Sequence, residues 1–306
     1  MKNTFLYIIT VLIWGSTWIA IEFQIDEAPI QVSLFYRFAL AAGIMWFYCL
    51  VRGVSLSFSR TEHFYIFLLA LFNFSFNYLI LYEAQKYLDS AMTSIAFSTL
   101  LLVNIINTRL FFGKPIKPRV YAGAIIGVIG LVTLFWPNLT AQSVDVLMLK
   151  GLGLAVGGTL VASLGNMVSY RNTQNDIPVL AANTWGMFYG ALTMLTLVTT
   201  LDISFVLPDS STYWVSLGFT AIFGTVIAFA SYFILLNNLG PEKASYVIVL
   251  FPVVAIIISV FVEGFVLTNY VIAGFLLIAL GNLVLLTPLE KISLRAIRLR
   301  YNKIRT

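Results

Sequence analysis

Residues 231–288 read SYFILLNNLGPEKASYVIVLFPVVAIIISVFVEGFVLTNYVIAGFLLIALGNLVLLTP, two long apolar runs with a short polar hinge before the first and a shorter one between them. The same pattern stands at 77–137. Shifted by 154, Tyr78, Ile80, Leu81 and Phe97 fall on Tyr232, Ile234, Leu235 and Phe251. Shifted by 151, Gly113, Gly123, Gly130 and Pro137 fall on Gly264, Gly274, Gly281 and Pro288. Repetition on this scale fixes architecture before any span is counted. It points to a doubled membrane bundle.

Composition agrees. The chain is 60% hydrophobic and 10% charged, against roughly 25% charged in soluble domains, and its mean hydropathy is +0.93. Apolar windows of about 20 residues, the length that crosses a ~30 Å hydrocarbon core, recur throughout. Ten are expected, at 4–21, 30–51, 64–82, 91–112, 119–136, 149–170, 179–201, 213–236, 244–262 and 269–287. The first lacks a small-residue cleavage site and reads as a retained span. The breaks between them, such as SRTEH, GKPIKP and LPDSS, are polar or rich in Pro and Gly. The expected fold is therefore all-α, ten transmembrane helices as two five-helix repeats over 1–138 and 147–288, followed by a basic amphipathic tail, 289–306.

Charge gives the orientation. With the N-terminus cytoplasmic, only Lys86 and Lys150 of the 18 Lys and Arg fall in outside loops, and Arg37 and Arg109 lie within spans, which leaves fourteen inside. Such asymmetry places both termini in the cytoplasm. Five spans per half then invert the second repeat relative to the first, a recurring transporter design. The net charge of +5 follows from this topology and needs no nucleic-acid partner. The tail places Leu289, Ile292, Ala296 and Leu299 opposite Lys291, Arg295 and Arg298, the pattern of a helix lying on anionic lipid.

At this point a family resemblance emerges. WGSTW in the first span, the Arg of FYRFALAA in the second, and the paired blocks KYLDSAMTS…GKPIKPRVYAG and LGPEKASYVIVLFP…GFVLTNYVIAG resemble EamA-type members of the drug/metabolite transporter superfamily. The resemblance covers nearly the whole chain. It implies export or exchange of small metabolites, often amino acids, through a central cavity in a bacterial inner membrane, with the fifth and tenth helices as supports. Two departures stand out. Ser98 lies opposite Pro252 where the family has a proline, so a hinge is expected in the second half alone. The family's Gly-Glu ending reads Gly113-Lys114 and, reversed, Glu263-Gly264.

Candidate cavity residues follow from what is costly to place in hydrocarbon. Arg37 sits about seven residues, ~10 Å, into the second span, where a charge must be paired, reach an interface or face water. It reads either as the contact for a substrate carboxylate, matched by its planar fork, or as a tether to Glu22, Glu83 or backbone carbonyls. Trp14, Ser16 and Thr17 lie at mid-depth in the first span, and a central Trp suits a cavity wall; Ser16 serves helix packing equally well. Asn73 and Asn77 share one helical face with Tyr78 beside them, and buried amides need partners. Trp185 and Tyr232 complete the candidates. Asn104, Asn107 and Asn166 read as isolated interhelical contacts. Pro252 removes a helix hydrogen bond and is the candidate hinge.

Other classes are excluded by what the sequence lacks. One His, His63, and one Cys, Cys49, leave no zinc set and no intrachain disulfide, and no cofactor is called for. An enzyme is not expected, because no intramembrane His, Asp pair or HExxH is present. With no Asp or Glu at the middle of any span, uniport or exchange is expected, or weak coupling through Glu22, Glu83 or Glu263. The partners are a small-molecule substrate and the bilayer. Sequence sets no oligomeric state, and a monomer suffices. A channel or membrane sensor, or a carrier of nucleotide sugars or lipophilic cations, stays open as the alternative.

Overall fold

Helix is the only regular structure among the described residues, as expected where hydrocarbon offers the backbone no hydrogen-bond partner. The computed structural model describes residues 2–140, 145–239 and 246–286; the expected amphipathic tail at 289–306 lies outside them. In chain order the helices are α1 (Lys2–Glu22), α2 (Ile30–Val51), α3 (Arg60–Gln85), α4 (Ser90–Phe112), α5 (Pro118–Leu139), α6 (Val146–Gln174), α7 (Val179–Thr200), α8 (211–239), α9 (Tyr246–Val262) and α10 (Asn269–Leu286). Eight of them are long and apolar enough to cross a membrane. The other two are α7, diluted by Asn183, Thr184, Trp185 and Tyr189, and α9, whose 17 residues reach ~26 Å.

Local chemistry sets the ends. Ser59 and Glu62 form a reciprocal capping box at the start of α3. Asp145 accepts from the backbone N–H groups of Leu147 and Met148 at the start of α6. Gly113 and Gly264 close α4 and α9 at φ +67° and +69°, a conformation glycine adopts without a Cβ clash. They are equivalent under the 151-residue shift.

Two helices wind irregularly. Residues Phe72–Phe76 of α3 and Thr220–Ile227 of α8 form π-helical stretches, a feature concentrated at functional sites. Pro252, the candidate hinge, lies within α9 without interrupting it, whereas α4 is interrupted at Ser98–Thr99. There the Ser98 and Thr99 hydroxyls donate to the carbonyls of Ile95 and Ala96, both at 2.7 Å, and compete with the helix ladder. Asn282 Nδ2 donates to the freed Ser98 carbonyl at 3.2 Å.

Packing crosses between the halves. α2 lies on α7, α1 packs against α8 and α9, and α6 packs against α3 and α4. α5 and α10 form the most extensive pair, running antiparallel with Gly123 against Gly281 and Gly130 against Gly274. Small residues let backbones approach this closely.

One end of the bundle gathers Glu22, Asp26, Asp89 and Glu263. Here Glu263 accepts from the Ser90 backbone N–H at 3.1 Å and from its hydroxyl at 2.5 Å, a carboxylate on the positive end of α4. Packing around the Asp89 carboxyl pushes its pKa above the ordinary range, and neighbouring Glu263 adds to the shift. A raised folded-state pKa stabilises below the unfolded value, about 3.9, and that contribution is lost as pH rises through the folded value. Asp89→Asn is therefore expected to raise the thermal unfolding midpoint near neutral pH, and the gain should vanish by about pH 4.

Candidate functional site

Arg37 is the centre of the site. It projects from α2, toward the acidic end of the bundle, and is fully buried at 0% exposure. No carboxylate meets it: Lys86–Glu83 is the ion pair found among the described residues. Its Nε donates to Thr225 Oγ1 at 3.2 Å and its Nη1 to the Tyr82 hydroxyl at 3.2 Å. Nη2 is buried without a hydrogen bond. The guanidinium also lies over the Tyr78 ring, 4.4 Å from its centroid, a favourable stack for a desolvated cation.

Around this cation the two halves are stitched together. The Tyr82 hydroxyl donates to Gln24 Oε1 at 3.2 Å, and Gln24 Nε2 donates to Thr220 Oγ1 at 3.3 Å. Ser33 and the Tyr213 hydroxyl share a 2.9 Å hydrogen bond. Trp14 Nε1 donates to the Gly224 carbonyl at 3.3 Å, and its ring packs on Phe229 and Tyr232 at 5.5 and 5.2 Å. A Cβ built on Gly224 would lie 3.0 Å from Thr17 Oγ1 and 3.8 Å from Arg37 Nη2. The π-stretch of α8 thus supplies Thr220, the Gly224 carbonyl and Thr225 to one place.

Of the expected site residues, the fold brings Tyr78 and Thr17 close to Arg37, with Trp14 joined through the Gly224 carbonyl and Tyr232 a step further out on the Trp14 ring. The rest are placed elsewhere. Ser16 turns its hydroxyl back on the Leu12 carbonyl. Asn73 joins an amide chain, donating to Asn166 Oδ1 at 3.4 Å, and Asn166 donates to Asn104 Oδ1 at 3.2 Å. Asn77 is buried with Oδ1 unpartnered. Trp185 sits at the opposite end of the bundle, 4.7 Å from the His63 ring and 4.8 Å from Trp46, donating to the Leu56 carbonyl at 2.8 Å. Sequence alone does not single out Gln24, Tyr82, Thr220, Gly224 or Thr225. The available signals are Tyr82 one turn beyond Tyr78, and polar residues within an otherwise apolar span.

A cavity of about 410 Å³ lies apart from Arg37, at the acidic end between Asp89, Phe135, Met148, Glu263 and Phe265. Among the described residues no group of three or more His, Cys, Asp or Glu is arranged to hold a metal.

A bundle with eight helices long and apolar enough to cross a membrane marks an integral membrane protein. The chain belongs to the EamA-like transporter family, whose model matches residues 1–136 and 149–287. It is similar to the "Uncharacterized transporter YoaV" of Bacillus subtilis, 27% identical, covering 92% of this chain and 96% of that protein. The "Uncharacterized inner membrane transporter YedA" of Escherichia coli is 27% identical over 83% of this chain and 80% of its own. A solved crystal structure aligns over 97% of this chain and 98% of its own with a TM-score of 0.67 at 18% identity, a likeness of fold alone.

Proposed function

We propose that the protein exports or exchanges small carboxylate metabolites, amino acids or related compounds, by alternating access, and that Arg37 receives the substrate carboxylate. The observation that carries this reading is a fully buried guanidinium with one nitrogen unpartnered and, among the described residues, no acid beside it. A buried charge in that condition is costly unless a ligand completes it. The Tyr78 ring provides an apolar wall next to it, and Trp14 lies beyond Gly224.

Alternating access draws on ten spans in two inverted repeats, with both termini cytoplasmic and α7 and α9 crossing as well. Contacts between equivalent residues support this arrangement. Phe97 and Phe251, equivalent under the 154-residue shift, face each other at 6.4 Å. The Gly123–Gly281 and Gly130–Gly274 contacts exchange with each other under the 151-residue shift, as a twofold requires. Near-complete burial of Arg37, Tyr82, Thr220 and Thr225 favours a carrier over an open channel.

Counterflow in proteoliposomes tests the reading, with each proteinogenic amino acid compared with its own amide. Saturable exchange of the acid but not the amide is expected; equal exchange of both, or conductance pulses, would sink it. The absence of acids at mid-span favours uniport or exchange, so an imposed pH gradient should not drive accumulation. Uphill uptake that persists when Glu22, Glu83 and Glu263 are all changed to Gln would overturn that part.

A further inference from the structure

The guanidinium of Arg37 is unequally engaged, and the inequality has a chemical meaning. A carboxylate grips a guanidinium through two parallel N–H···O bonds, either end-on at Nη1 and Nη2 or side-on at Nε and Nη2. Both faces include Nη2, the nitrogen without a partner. Each face also includes one nitrogen already held by a hydroxyl: Nη1 by Tyr82 and Nε by Thr225. Among the described residues no second cation joins the cluster, so the seat matches one negative charge. Glycine at 224 leaves no side chain of its own beside Nη2: a Cβ there would stand 3.8 Å from it and 3.0 Å from Thr17 Oγ1.

We infer that Tyr82 and Thr225 are placeholders, hydroxyls that occupy the positions of the substrate's carboxylate oxygens until it arrives, and that their displacement carries occupancy to the π-stretch of α8. The inference rests on the reading that Arg37 contacts the substrate. An end-on carboxylate displaces Tyr82, whose hydroxyl donates to Gln24, which in turn holds Thr220. A side-on carboxylate displaces Thr225, whose hydroxyl donates back to the Thr220 carbonyl at 2.8 Å. Both routes end on Thr220, one of the points at which the second half is fastened to the first. Binding and release of the fastening are then one event, so Tyr82 and Thr225 act as positioning residues rather than as scaffold.

The test is ligand affinity of the full-length protein in lipid nanodiscs, using the same panel of amino acids and their amides as probes. Tyr82→Phe and Thr225→Val each remove a competitor while nearly preserving shape. Each is expected to bind the preferred amino acid about tenfold more tightly, toward the low end of what a hydrogen bond to a charged group contributes, with no gain for the amide. Tightening in one variant alone supports the inference and identifies the face the carboxylate uses. If either variant fails to fold, Tyr82→Leu or Thr225→Ala, which lacks the same hydroxyl, takes its place, so that both faces are tested. Unchanged or weaker binding by the folded variants, with an acid-over-amide preference that Arg37→Ala abolishes, overturns the placeholder role and leaves the Arg37 reading standing. No such preference in the unmodified protein, or one that survives Arg37→Ala, overturns both.

Discussion

Arg37→Ala is expected to lower carboxylate counterflow by at least about a hundredfold while the protein remains folded in the membrane. The magnitude follows from two charge-assisted hydrogen bonds at ~1.5–3 kcal/mol each, where 1.4 kcal/mol is tenfold. The fold should survive because neither neighbour is stranded. Tyr82 keeps Gln24 as a partner, and Thr225 keeps the Thr220 carbonyl. Removal of a buried charge that has no counterion also relieves a desolvation penalty. Arg37→Lys is expected to recover only a fraction of the flux, because a single ammonium cannot reproduce the planar fork. Counterflow and thermal unfolding measured on the same preparations separate the roles. A variant that unfolds, yet transports normally per folded molecule, would make Arg37 a structural strut.

How far the site could be read from the sequence depended on the distance over which each feature is determined. A charge inside an apolar run declares itself, so Arg37 stands out, and Trp14 does so by lying away from the span ends. The partners of Arg37 are another matter. Thr225 is 188 residues away, and helical periodicity says which face a residue shares, not which helix meets that face. Trp185 illustrates the point. It is aromatic and within a span, yet it packs around His63 at the far end of the bundle. Asn73 and Asn77 share a face, as their spacing requires, but Asn73 finds Asn166 instead of Arg37.

The fold was easier to read than its irregularities. Apolar runs bounded by Pro, Gly and polar residues marked the helices to within a few residues, because hydrocarbon imposes length and polarity together. The interruption in α4 was not foreseeable from Ser98 and Thr99 alone. Such hydroxyls often bond the preceding turn inside intact helices, and what accompanies the break here is Asn282 of α10 taking the Ser98 carbonyl. The π-stretches carry no residue signature either, and the one in α8 contributes most of the second half's share of the site.

Gly274→Val is expected to have the largest effect on stability. A Cβ at Gly274 would stand 2.8 Å from the Gly130 carbonyl oxygen, 2.8 Å from the Leu134 nitrogen and 2.9 Å from the Leu134 Cα. All three are backbone atoms, so no side-chain rotation can relieve the clash and α5 must move away from α10. Overpacking against movable side chains already destabilises by ~1–3 kcal/mol; displacing a backbone along this contact should exceed that and remove most folded protein from detergent extracts. Gly127 provides the control. It lies on α5 between Gly123 and Gly130, but nothing stands within 4 Å of a Cβ placed there, so Gly127→Ala should leave the unfolding midpoint nearly unchanged. Gly123→Val adds a test of symmetry. Gly123 corresponds to Gly274 under the 151-residue shift, and its Cβ would meet the Gly281 carbonyl oxygen at 2.7 Å. If the halves are related by a twofold, the two Val variants should lose folded protein to a similar degree. A severe loss at Gly274 beside an intact Gly123→Val would mean that α5 and α10 are not equivalent partners, and that the repeat in the sequence does not extend to how these helices bear load.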